Sequence, residues 1–163
     1  VLTYSMLMKC DKDLQPLQPS KCTKQIVNGD PFFFNCPIVV NHFVCFRRNI
    51  YEKTEKIDAS KKIAEDQDLY LKMYEKGKVK FIDEINYHYR THSGGISQND
   101  NKKKSYEYWG KVIWEAMQRR GLRKIRGKQI PEQFTDSEEI FRLLDYQNSL
   151  LYRLRLKFLT LFS

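Results

Sequence analysis

No uninterrupted apolar run in this 163-residue chain is long enough to span a bilayer, and no segment reads as a signal peptide. Cysteine is scarce. Cys10, Cys22, Cys36 and Cys45 stand 12, 14 and 9 positions apart, which excludes a Cys-x-x-Cys redox pair and a zinc ribbon; four are too few for a disulfide scaffold. Cys36 and Cys45 lie in apolar context and are expected to act as small core residues. All four suit a reducing cytoplasm. There is no internal repeat and no low-complexity tract. An initiator Met is also missing: the sequence opens at Val1-Leu2-Thr3-Tyr4, inside what reads as a strand, so the chain is expected to be a fragment of a longer protein.

What is present suffices for one sizeable core, with 41% hydrophobic and 13% aromatic residues. The net charge of +9 is uneven. Residues 102 to 128 hold ten Lys and Arg against Glu107 and Glu115. Such a stretch attracts phosphate groups, nucleic acid or an acidic membrane face, or it is a solvated helix and loop.

Residues 1 to 8 are apolar and β-prone, and an irregular excursion of about 20 residues containing Pro16 and Pro19 follows. The run from Pro37 to Arg48 is β-branched and short, which predicts a buried strand ended by Arg47-Arg48. Residues 60 to 76 carry Ile63, Leu69, Tyr70, Met73 and Tyr74 at helical spacing. Acids lead, lysines follow and Gly77 stops the helix. Lys78 to Tyr89 alternates and reads as a strand pair or a bent strand. Ser105 to Gly121 is a helix with a cationic end, Pro131 marks a break, and Ser137 to Phe162 is helical again as one or two helices.

Ala64-Glu65-Asp66-Gln67-Asp68-Leu69 places three carboxylates in the first turn of an amphipathic helix, where backbone N–H groups and the helix dipole keep acids ionised. Such a carboxylate can take a proton from a hydroxyl within hydrogen-bond reach. Acids also occur at helix starts simply because each stabilises the helix by about 0.3–1 kcal/mol.

The neighbourhood adds information. Phe43-Val44-Cys45-Phe46-Arg47-Arg48 with Tyr51, then Ala64-Glu65-Asp66-Gln67-Asp68-Leu69, then Tyr87-His88-Tyr89-Arg90-Thr91-His92-Ser93-Gly94-Gly95-Ile96-Ser97, stand in one order. That order resembles the C-terminal half of family 2 glycosyltransferases over roughly residues 1 to 121. In that family the pieces are a strand ending in a basic pair, a Glu-Asp motif with its helix, and a Tyr-Arg-x-His loop ending in Gly-x-Ser.

The resemblance implies an α/β fold, the C-terminal part of a GT-A, Rossmann-like domain with added C-terminal helices. Residues 1–98 would form the acceptor-side half of the catalytic domain and 99–163 a helical extension. It implies an inverting transfer of sugar from a nucleotide-sugar, a UDP-sugar by preference, to a glycan or lipid-linked acceptor, in bacterial surface polysaccharide synthesis. Asp66 would be the general base and Glu65 would orient it or the acceptor. Arg90 and Asp68 would bind substrate, although Arg90 can equally pair with Asp83 or Glu84. His92 would help hold a divalent metal, Mn²⁺ or Mg²⁺, most of whose ligands lie outside this chain. Gly94-Gly95 would let backbone approach phosphate oxygens.

The sequence departs from the family in two places. Asp11-Lys12-Asp13 has the letters of the metal motif but follows the wrong strand, so Asp11 and Asp13 are expected to be turn residues. The metal motif is expected upstream of Val1, and this chain alone is expected to turn over little. Lys61-Lys62-Ile63 replaces the usual glycines before the acidic motif.

The alternative to an enzyme is a basic module gripping nucleic acid or an anionic membrane surface. No nucleic acid is expected. Leu150, Leu151, Leu154, Phe158, Leu161 and Phe162 form an apolar face opposite Arg153, Lys157 and Thr160. That face can lie on an anionic membrane or pack on the domain or a second subunit, and the interruption by Arg155 favours packing. The expected location is the cytoplasm, free or peripheral at the inner face of the membrane.

Overall fold

The apolar opening of the sequence forms β1 (Leu2–Cys10) in a computed structural model that describes residues 1–92 and 102–161. β1 is the centre of a four-stranded mixed sheet. After a turn it pairs antiparallel with β2 (Pro16–Pro19) through Met8–Cys10, and with β3 (Val44–Phe46) through Leu2–Tyr4. Those two short strands share one edge. The other edge is occupied along its whole length by β4 (Val79–Arg90), parallel to β1 from Leu2 opposite Val79 to Cys10 opposite Arg90. The alternating segment is therefore a single bent strand: the register slips twice, leaving Asp83, Glu84 and Asn86 as extra residues. Asp11 and Asp13 are turn residues, with the Asp11 carboxylate accepting the amides of Asp13 and Gln15, both at 2.9 Å.

The expected strand over Pro37 to Arg48 is corrected: only Val44–Phe46 enters the sheet. Val39 and Val40 are buried as predicted, but their amides donate to the Asn35 Oδ1 at 2.9 and 2.8 Å. A side chain thus takes up donors that a ladder would need. Cys45, expected in the core, is exposed, whereas Cys36 packs against the core. A short helix, α1 (Arg48–Tyr51), follows β3.

Helix α2 (Glu65–Tyr74) begins five residues later than the periodicity suggests. Asp58 holds the preceding residues in a turn, accepting from Ser60 N at 2.9 Å, Ser60 Oγ at 2.6 Å and Lys61 Nζ at 2.7 Å. Ala64 then adopts a left-handed conformation, φ 62°, which breaks helical continuity.

α2 lies between two apolar clusters. Leu69, Tyr70, Met73 and Tyr74 pack with Leu2, Tyr4 and Val79 of the sheet. Leu71 joins the buried face of α3 (Lys102–Arg119), formed by Val112, Ile113, Ala116 and Met117. The hairpin of β5 (Lys124–Ile125) and β6 (Lys128–Gln129) adds Ile125 to this second cluster, and α4 (Ser137–Leu144) adds Ile140, Leu143 and Leu144. Asp136 caps α4 by accepting from Glu139 N at 2.9 Å. α3 and α4 cross closely at Gly110, where a Cβ would stand 2.5 Å from the Ser137 Cβ. The final helical region divides in two: a 3-10 turn (Asp145–Asn148) separates α4 from α5 (Leu150–Thr160). The expected boundary between residues 98 and 99 falls outside the described residues.

Among the described residues no helix is long and apolar enough to cross a membrane. Two cations of the basic stretch are used inside the fold. Arg119 and Arg120 both reach Glu75, at 3.1 and 2.9 Å, and Arg120 also donates to the carbonyls of Pro31 and Phe33.

Candidate functional site

Asp66 stands in the first turn of α2, its side chain one-third exposed. One carboxylate oxygen accepts from Gln67 N at 2.8 Å and the other from Gln67 Nε2 at 3.3 Å. These bonds fix the orientation of the carboxylate at the helix start. Gln67 is itself held: its Oε1 accepts from Asn35 Nδ2 at 2.6 Å, and the same Asn35 amide donates to Val40 O at 2.8 Å. Asn35 and Gln67 are both buried. A continuous polar chain thus runs from the Asp66 carboxylate through Gln67 and Asn35 into the loop at Val39 and Val40.

That loop delivers His42, whose Nε2 lies 3.9 Å from Asp66 Oδ2. The separation is too long for a hydrogen bond but close enough for charge to matter when the imidazole is protonated. The His42 ring tilts against Tyr87, with centroids 5.4 Å apart, and lies nearly parallel to Tyr89 at 6.4 Å. Tyr70, one turn beyond Asp66, completes the group. Burial raises its phenol pKa strongly, and the negative charges of Asp66 and Glu65 raise it further. Glu65 itself is exposed. The result is a partly open surface carrying two carboxylates, an imidazole and tyrosine rings.

The remaining expected residues divide between two places. Arg90 ends β4 one residue beyond Tyr89, and His92 follows within a further two residues, so Tyr89 to His92 spans at most about 10 Å of chain. Thr91 fixes this exit by donating from its amide and its hydroxyl to Cys10 O, at 2.9 and 2.7 Å. Arg90 and His92 are both exposed, and among the described residues no ion pair joins Arg90 to Asp83 or Glu84. β1 and β4 are parallel and end together here. The Ser93 to Ser97 loop lies outside the described residues.

Asp68 is not brought to this surface. It is fully buried on the side of α2 facing α3, 2.8 Å from Lys72 Nζ and 3.4 Å from both Lys61 Nζ and Arg119 Nη1. Its Oδ2 lies off the direction a hydrogen bond requires, so it is ion-paired without one. Asp68 forms the floor of a separate cleft of about 320 Å³ that also exposes Lys61, Glu115 and Trp114.

Among the described residues no group of three or more His, Cys, Asp or Glu is placed to hold a metal. His92 is a single candidate donor.

Sequence reasoning missed His42, placing it inside a buried strand. A histidine amid apolar neighbours, with no partner available in a ladder, was the signal that it faced something else. It also missed Ala64, the position before the acidic motif whose left-handed backbone, φ 62°, favours glycine. No family model matches the chain, and no curated protein matches it.

Proposed function

We propose that this chain is the acceptor-side half of an inverting, GT-A-type glycosyltransferase that uses a nucleotide-sugar donor, with Asp66 as its base. The observation that carries the reading is the placement of Asp66. It is held at a helix start by part-buried hydrogen bonds from Gln67, partly open to solvent, beside His42 and the rings of Tyr87 and Tyr89.

An acceptor hydroxyl lying against Asp66 gives its proton to the carboxylate as its oxygen forms a bond to the anomeric carbon. The bond from that carbon to the diphosphate breaks on the opposite face, so the configuration inverts and the nucleoside diphosphate leaves. Glu65 orients the acceptor. The aromatic faces suit the C–H face of a sugar ring. Arg90, exposed at the shared end of β1 and β4, offsets diphosphate charge in this reading. Among the described residues no cluster by itself forms a metal site. Asp68 has no part in this chemistry and joins α2 to α3.

The test uses the full natural gene product. Incubated with a panel of nucleotide-sugars and glycan or lipid-linked acceptors, it releases nucleoside diphosphate in an acceptor-dependent manner, and the product carries the inverted anomeric configuration by NMR. Absence of release from every donor, or retained configuration, overturns the reading.

A further inference from the structure

Helix α5 shows two apolar faces, and one of them lines a cavity of the fold. Tyr152, Leu156 and Leu159 turn inward, lining a cavity of about 380 Å³ with the segment Val27–Phe32, Ile125, Arg126 and Tyr146. The Tyr152 ring meets Tyr146 edge to face at 5.0 Å. The opposite face points outward. Leu150, Leu151, Leu154 and Leu161 are 71, 82, 54 and 74% exposed, and Phe158 is exposed beside them. At 100° per residue these five positions fall within a stripe about 100° wide, the width expected of a buried helix face. The expected packing of this face on the domain is therefore corrected: the domain is held by the other side.

Charge indicates what covers the stripe. Arg153 and Lys157 border one edge, roughly 20–60° outside it, and Arg155 borders the other, roughly 40° outside. All three are exposed. From Ser149 to Ser163 there is no acidic residue. Arg155 thus forms a border of the stripe and does not interrupt it. A second element adds to the cationic side: Arg126 of the β5–β6 turn lies 5.1 Å over the Tyr146 ring and lines the same cavity as Arg155, with Lys124 and Lys128 exposed on the hairpin. The nearby acids are Asp30, in the cavity, and Asp145, before the helix. A protein partner or second copy with an apolar groove would need no such cationic border. An anionic bilayer needs both parts, since apolar side chains enter the acyl boundary while long cationic side chains reach back to headgroups.

We infer that α5 is an interfacial helix that seats the protein on an anionic lipid surface, with Leu150, Leu151, Leu154 and Leu161 inserted and Arg153, Arg155 and Lys157 at the headgroups. The inference is independent of the transfer reaction.

Vesicle flotation of the full natural gene product tests it, using phosphatidylcholine vesicles with and without phosphatidylglycerol. The protein floats with the anionic vesicles and not the neutral ones, and high salt weakens the association. Arg153→Gln lowers partitioning roughly fivefold, and Leu151→Glu with Leu154→Glu abolishes it. Both variants melt like the parent, because the altered side chains are exposed. Failure to float with anionic vesicles, flotation unchanged in the leucine variant, or a dimer that this variant converts to monomer in light scattering overturns the inference.

Discussion

Asn35 Nδ2 donates to Gln67 Oε1 at 2.6 Å, and through this bond the loop that presents His42 is tied to the helix start that presents Asp66. Asn35 also accepts the amides of Val39 and Val40, and it does so from a left-handed backbone, φ 51°, which asparagine tolerates better than most residues. One buried amide side chain therefore sets the geometry of both halves of the site.

Asn35→Ala leaves two buried amides and the Gln67 carbonyl oxygen without partners, and an alanine in a left-handed conformation. The expected loss is about 2–4 kcal/mol in urea denaturation. A loss under about 1 kcal/mol contradicts the role given to this network.

Asp68 separates two accounts of the acidic motif. Buried among Lys72, Lys61 and Arg119, it holds α2 against α3, and Asp68→Ala removes the one acid these three cations share, although Lys61 keeps Asp58 and Glu115, Lys72 keeps Glu55 and Arg119 keeps Glu75. The expected destabilisation is about 1–3 kcal/mol. In the natural gene product Asp68→Asn leaves the KM for donor and acceptor unchanged. A variant that folds normally with a raised KM returns Asp68 to substrate binding.

Alkaline stability follows from two buried acids. Burial raises the Tyr74 phenol from 10.0 to about 12, and its hydroxyl donates to Val27 O at 2.8 Å. Burial, with Asp145 nearby, raises the Cys36 thiol from 9.0 to about 12. In both cases the folded state favours the neutral form. Their stabilisation is complete below the unfolded values and is lost as the unfolded chain ionises first and the folded values are approached. The urea midpoint is therefore expected to hold up to pH 9 and to fall between pH 9 and about 12. A midpoint that stays flat through that window contradicts this. In the native state Cys22 and Cys45, which are exposed, react with a thiol reagent well before Cys36.

Much of the scaffold was legible because its signals are local. The spacing of Tyr108, Trp109, Val112, Ile113 and Met117 identifies α3, and the alternation after Lys78 identifies β4. What was not legible depends on side chains that replace backbone partners. Asn35 takes amides that would have extended β3, and Asp58 with Ala64 delays α2. His42 became part of the site only because that irregular loop folds back on α2. The direction of α5 was equally hidden, since both of its faces carry leucines and only the tertiary structure shows which is covered.

The central claim is that Asp66 is the base, and the turnover of Asp66→Asn in the full natural gene product tests it most directly. Asparagine keeps the shape and the acceptor for the Gln67 amide but cannot take the proton. The account predicts a kcat lowered by roughly 10²–10⁴-fold with donor KM near that of the parent. A kcat within a few-fold of the parent, with donor binding intact, contradicts it.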